Sequence, residues 1–484
     1  MNLTYSPSGN DGTLLGYSER SGDRYLLILG FVLLGYAVLS RGFAYWGVPP
    51  VFVGEVVLAL GIVELARSRT LGTLVAHPVG ALLGTLLLLT TVRTFLDFGM
   101  YGLDAIRDAM QLVYGLFAFV VAALLVARAE RLKQLLSAYR TYAIILLSTI
   151  WIVYLVYKTF EQSIPFLPWA DTARVFEAKG GDIMVQLAGV TTFLVVGLMR
   201  HRPLLLFALA ANAGIVMVSN RGGMVAFFIA VVVGVLLRPP DARTGKLVYA
   251  FGLFLVIGLI VGPLLPIHGG TREISIEQIW TNVESVIGQS DSGSLEGTKK
   301  WRLEWWDQIY DYTVRGEYFW TGKGFGVNLA EDDGFLVDPS LRSPHNGHMT
   351  VLARLGVPGA LLWVLLQIGW FATLMRAWWN AREQSDHKWM AVFAVAVSLA
   401  IAMHINAAFD VYFEGPMGGI WFWTVFGAGF GAALIYRLHP EILDDDNVHT
   451  ATDNPFGPAA DADVIPPKRN VTWGWPTPAH SPGA

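Results

Sequence analysis

Two histidines, His345 and His348, stand three residues apart in SPHNGHMTVLARLGVPG (343–359), at the mouth of a hydrophobic run. An imidazole can be neutral near pH 7 and take a proton, which an arginine cannot. Pro344 fixes the backbone before His345, and Asn346 suits the cap of the helix that follows. His345 is therefore the better base of the two, with His348 and Asn346 in support. Guanidinium groups supply a second chemistry. Arg221 lies in VMVSNRGGMVAFF, where Gly222 and Gly223 permit close approach of a ligand and a new helix begins. A helix N-terminus beside an arginine suits a phosphate; a turn arginine reaching lipid headgroups is the alternative. Arg93 and Arg107 flank FLDFGMYGLDAI among Asp97, Asp104 and Asp108. There, Arg93 is expected to close one helix and Arg107 to open the next, either in internal ion pairs or for an anion.

Arg302 belongs to WRLEWWDQIY, which reads as a short amphipathic helix. Its tryptophans suit interfacial anchoring, with Trp305, Trp306 and Ile309 docked on the bundle and Arg302 directed to a cavity. Asp332 and Asp333 are adjacent carboxylates with no third ligand nearby, so no metal site is expected. His404, Asn406 and Asp410 lie in MHINAAFDVYF; intramembrane polar groups there serve either function or helix-to-helix bonding.

The elements that hold these residues are hydrophobic. Of 484 residues 54% are hydrophobic and only 15% charged, against the ~25% charge usual in soluble domains, and mean hydropathy is +0.48. The expected class is an all-α polytopic membrane protein with about 12 transmembrane helices. The spans are 24–40, 50–66, 74–92, 110–127, 139–157, 183–199, 203–219, 222–237, 247–264, 349–376, 389–410 and 416–437. The polar first ~20 residues lack the apolar core of a cleavable signal, so the first span is expected to drive insertion. Lys and Arg number fourteen in the connections on one side and seven in the short connections on the other, which places both termini in the cytoplasm. The seven are Arg41, Arg93, Arg107, Lys158, Arg174, Lys179 and Arg221, and each stands against that rule. The expected layout is a cytoplasmic segment 1–23, spans 1–9 over 24–264, an outer, partly helical cap over 265–345, spans 10–12 over 346–437 and a disordered cytoplasmic tail 438–484. With no cysteine, thiolate chemistry and disulfides are excluded, and a net charge of −4 gives no reason to expect nucleic acid.

Three motifs, in this order, resemble the O-antigen ligase and polysaccharide polymerase family, multi-span glycosyltransferases of the C type. SNRGGMVAF is similar to a family Ser-Arg-Gly turn; Arg302 and Trp306 followed by TGKGFG (321–326) resemble Arg-x-x-x-Trp and Gly-x-Gly-Phe-Gly; HNGHMTVLARLGVPG resembles His-Asn-x-x-Leu with Gly-x-x-Gly. Asn220 and Met349 depart from the usual serine and leucine. The resemblance spans roughly 210–435. It implies an inverting, metal- and cofactor-independent enzyme of the bacterial inner membrane, facing the periplasm. The donor would be a saccharide on undecaprenyl diphosphate and the acceptor a glycan or glycolipid hydroxyl. His345 would be the base; Arg221 and Arg302 would hold the diphosphate with help from Arg93, Arg107 and Arg342, and Gly324 and Gly326 would let the loop close over the donor. A polymerase of the same family is the near alternative. A secondary transporter using His404, Asn406 and Asp410, or a structural subunit of an export complex, is the alternative of another class.

Overall fold

The computed structural model describes residues 12–200, 202–217, 221–242, 293–336 and 341–444. The expected span 247–264, the first part of the long loop and the tail beyond 444 lie outside the described residues. Helices occupy the other eleven expected segments. Seven are long and apolar enough to cross a membrane, and Gly180–Val195, Pro203–Val216 and Gly222–Leu236 are shorter apolar helices. This is the helical architecture of a multi-pass membrane protein. Two small antiparallel hairpins, Gly47–Val48 with Val51–Phe52 and Phe166–Leu167 with Ala170–Arg174, qualify the all-α expectation.

Helix Leu116–Ala127 is buried at every residue from Phe117 to Leu125. It is hydrophobic on all sides, and neighbouring helices enclose it. Pro416–Leu438 packs along it through small residues. A Cβ at Gly427 would stand 2.5 Å from the Ala118 carbonyl, so this approach needs glycine. Gly180–Val195, Arg221–Leu236 and His387–Phe409 pack together beside this pair.

The segment around Arg93 differs from expectation. The helix does not end there but runs as Pro78–Tyr101, turns at Gly102 (φ 55°) and restarts as Leu103–Val113. Only glycine adopts that φ at little cost. Asp97 thus sits four residues after Arg93 on one helical face and pairs with it at 2.9 Å.

A second break lies inside Gly347–Glu383, where Gly356 leaves helical geometry (φ 65°) and Pro358 has no N–H to give. Carbonyls that would bond along the helix are left open, and the TGKGFG loop fills them. The Lys323 amide donates to Ala353 O at 2.8 Å, the Gly324 amide to Arg354 O at 3.0 Å, and Val357 N donates to Phe319 O at 2.8 Å. The two glycine-rich motifs are halves of one joint.

Helix Gly293–Val314 rests on this joint. Trp305 and Ile309 dock on the bundle, fully buried with Leu329, Ala330 and with Ala353 of helix Gly347–Glu383. The Trp305 indole stacks on Phe335 at 5.2 Å and donates to Asp333. Asp332 and Asp333 close on Lys323.

Candidate functional site

Ser343-Pro-His-Asn forms a rigid corner. The Asn346 side chain caps Gly347–Glu383, accepting from the amides of His348 (3.0 Å) and Met349 (3.2 Å). The Pro344 carbonyl accepts from the Trp306 indole at 2.9 Å. Between them His345 holds φ 52°, a conformation costing a non-glycine residue about 1–3 kcal/mol. That strain turns the two rings to opposite sides. His348 points inward, stacks on His404 at 5.4 Å, accepts the Trp363 indole on Nδ1 (3.2 Å) and donates from Nε2 to His404 O (3.2 Å). Both of its nitrogens are engaged. His345 instead lines a cavity of about 1600 Å³.

The cavity wall comes from one end of the bundle: the connections around 40–55, 157–161, 177–180, 341–345 and 411–417, helix Leu103–Val113 and the start of Gly293–Val314. Its lining is partly apolar, with Pro49, Phe52, Leu103, Ile106 and Met110. It also carries the cations Arg41, Arg107, Lys158, Lys179, Arg302 and Arg342.

Asp410 stands behind His345, its Oδ1 3.6 Å from Nδ1, while its Oδ2 meets Lys179 Nζ at 2.8 Å. At 3.6 Å the imidazole contact is an ion-pair distance and not a formed hydrogen bond. Burial alone would raise the Asp410 carboxyl; the Lys179 ammonium, the His345 ring and the Val411 amide together hold it well below the usual carboxylate range. For Lys179 burial opposes the charge, and Asp182, Asp410 and Glu414 outweigh it, so its pKa is raised. Glu414 also lines the cavity. Burial raises it above the ordinary carboxylate range, even though Thr350 donates to it at 2.7 Å.

Arg302 and Trp306 share a helix face, four residues apart. As Trp306 anchors the His345 corner, Arg302 Nη1 donates to Phe409 O at 3.0 Å, next to Asp410. Among the described residues its buried Nε has no hydrogen-bond partner, and the same holds for Arg342 Nε. Burial pushes the Arg302 guanidinium down, with Asp410 opposing. An N–H shut away from water without a partner is costly, about 1–3 kcal/mol, so these two guanidinium groups can accommodate a further acceptor.

Arg342 is set by a hub at Asp108. That carboxylate takes Arg354 at 2.9 Å, Arg342 at 3.2 Å, Arg107 at 3.3 Å and the Gly326 amide at 3.1 Å. Arg354 is buried and also donates to Gly324 O. The sequence-predicted residues divide accordingly. His345, Arg302, Arg107 and Arg342 meet at the cavity. Arg93, Gly324 and Gly326 lie outside its wall, in the seam where Phe325 N donates to Asp97 and Gly326 N to Asp108. The loop glycines are spent on docking, and a Cβ at either would strike Arg93, Asp97 or Tyr101. The Arg221 side chain lies outside the described residues. Its helix begins there, and Gly222 packs against Phe409, with a Cβ at 222 only 2.9 Å from that side chain. The helix start therefore packs on the residue that precedes Asp410.

Asp410 and Lys179 were present in the reading as a polar span residue and an outer cation, without a role at this site. Glu414 was missed; its one signal is an acid in the short connection between two apolar helices. His404 is enclosed by Trp363, Phe371, Phe413 and Phe422, and Asn406 donates to Asp182 at 3.3 Å.

Residues 203–364 match the family model described as O-antigen ligase. That stretch holds all three sequence motifs, the Arg221 helix and the His345 corner, and it ends before Asp410. Among curated proteins none matches the chain.

Proposed function

Taking the chain as a member of the O-antigen ligase and polymerase family, we propose that it is an inverting glycosyltransferase. It would move a saccharide from undecaprenyl diphosphate to an acceptor hydroxyl at the periplasmic face of the bacterial inner membrane. The accompanying membrane arrangement is twelve spans, with the cavity outside, the termini inside and the 265–345 loop as a cap. Four of the seven cations that defy the inward bias, Arg41, Arg107, Lys158 and Lys179, line the cavity, which supports that sidedness.

The observation that carries the reading is one cavity lining that holds a carboxylate-backed imidazole together with half-buried guanidinium groups whose Nε atoms have no partner among the described residues. In the step, the anomeric C–O bond to the diphosphate breaks as the acceptor oxygen bonds to the same carbon from the opposite face. The hydroxyl proton goes to His345 Nε2, leaving Nδ1–H toward Asp410. Base catalysis of this kind is worth about 10²–10⁴ in rate. The leaving diphosphate gains negative charge, met by Arg302, Arg342 and the helix start at Arg221. Preorganised cations aimed at developing charge commonly supply the larger share. Fixed guanidinium groups can provide that charge without a metal ion. Helix Leu103–Val113 and the 47–52 hairpin offer the apolar face on which an isoprenoid chain can lie.

The His-Asn corner and long loop resemble the ligase branch, a layout that polymerase members share, so experiment separates the two. The test is incubation of purified protein with a lipid-diphosphate saccharide, chelator and a panel of acceptors, with product mass followed. Transfer of the whole saccharide to a separate lipid or protein acceptor supports a ligase; lengthening of the lipid-linked chain supports a polymerase. Solute flux in vesicles with no new glycosidic product would replace both with a transporter.

A further inference from the structure

We propose that Lys179 is a positioning residue of this site, fixing Asp410 so that its second oxygen is turned to His345. The inference rests on His345 being the base and adds a residue from outside the 203–364 segment. Lys179 comes from the connection 161–179, distant in sequence from the His345 corner, and stands at the N-cap of Gly180–Val195.

Asp410 is the C-cap of His387–Phe409, held in extended backbone. It has two oxygens and two neighbours of different kind: Lys179 Nζ at 2.8 Å on Oδ2 and His345 Nδ1 at 3.6 Å on Oδ1. The first contact is short and charge-assisted and the second is long, so the lysine sets where the carboxylate lies. An ionised, correctly turned Asp410 accepts Nδ1–H and leaves the Nε2 lone pair to the cavity. Protonated or rotated, it would no longer specify that tautomer.

The charged groups facing Asp410 are Lys179 and the buried Asp182 from one helix, His345 from the corner, Arg302 from Gly293–Val314 and Glu414 along its own connection. Asp182 pairs with Asn406 and adds repulsion, so Lys179 serves two buried carboxylates. Arg302 gives its nearest bond to Phe409 O, not to Asp410. Without Lys179, burial and Asp182 both favour a protonated Asp410.

The sign follows. Removing the ammonium raises the pH at which Asp410 ionises, so Lys179→Met should regain activity as pH rises through a range where the wild type is flat. At pH 7 we expect a fall in kcat of about ten- to a hundredfold with donor KM within about twofold. Lys179→Arg should recover most of the rate. Asp410→Asn should lose activity without that alkaline recovery, and adding Lys179→Met to it should cost little more. A second readout avoids turnover: modification of His345 by diethyl pyrocarbonate, localised by mass spectrometry, should change rate in Lys179→Met and return in Lys179→Arg.

The proposal is overturned if Lys179→Met raises donor KM with kcat and the pH profile unchanged, which would make Lys179 a direct donor contact. It is equally overturned if the losses from Lys179→Met and Asp410→Asn simply multiply. Retained transfer by His345→Ala would instead remove the base assignment beneath it, a different outcome from either.

Discussion

The two ends of the helical bundle treat their cations differently. At the end bearing the 128–131 turn, arginines are matched within the chain: Arg131 meets Asp23 at 2.7 Å and donates to Leu124 O, Arg128 meets Asp23 at 2.9 Å, and Arg67 meets Glu64 at 2.7 Å. At the cavity end, Arg302 and Arg342 each keep a buried N–H without a partner among the described residues. Glu414 beneath them is also held toward its neutral form by burial. Where charge serves only to seat the helices, folding satisfies it; where part of it is left unmet, a ligand's charge is the natural complement. Within the cavity end a second division holds. The Asp108 hub is saturated and rigid, and it presents Arg342 and Arg107 to a wall that is not.

The largest effect should come from breaking the saturated hub. Arg354→Met would leave Asp108 with one buried partner fewer and the TGKGFG joint unanchored, costing about 3–5 kcal/mol. Thermal unfolding in detergent should register it as a marked fall in midpoint, and unchanged unfolding would show that the hub does not hold the loop.

Next is the unsaturated wall. Arg302→Ala should weaken binding of a lipid-diphosphate donor about ten- to a hundredfold while leaving the unfolding midpoint within a few degrees. Arg302→Lys should restore only part, because an ammonium lacks the guanidinium fork. Equal affinities across wild type, Ala and Lys would move the diphosphate elsewhere on the wall.

The smallest effect belongs to the opposite end. Arg67 is half exposed in its pair with Glu64, so Arg67→Ala should cost under about 1 kcal/mol and leave transfer unchanged. A loss of transfer there would dissolve the distinction between the ends.

How much of this was legible depended on the kind of signal. Helix positions were readable because an apolar run of fixed length is a local property, and helices occupy the eleven expected segments among the described residues. The His345 corner was readable for a related reason: proline, a cap asparagine and a helix start act within four residues. The cations expected on the outer side were flagged only by defying the inward bias, which marks a residue without naming its partner. What stayed hidden depends on contacts distant in sequence. Lys179 and His345 are joined through Asp410, and Asp108 gathers Arg342 and Arg354 from more than two hundred residues away. TGKGFG looked like a phosphate-covering loop because glycines free backbone amides; the break at Gly356–Pro358 uses those amides first. Arg93 misled in the same way, since nothing local tells that its helix continues to Tyr101.

The most direct test of the cavity as the place of transfer is a single-turnover comparison of wild type and His345→Ala, each loaded with a labelled polyprenyl-diphosphate saccharide before acceptor is added. Donor occupancy should agree within about twofold, while the glycosidic product forms about 10²–10⁴ times more slowly in the variant. Product formation at the wild-type rate by fully loaded His345→Ala would contradict the account.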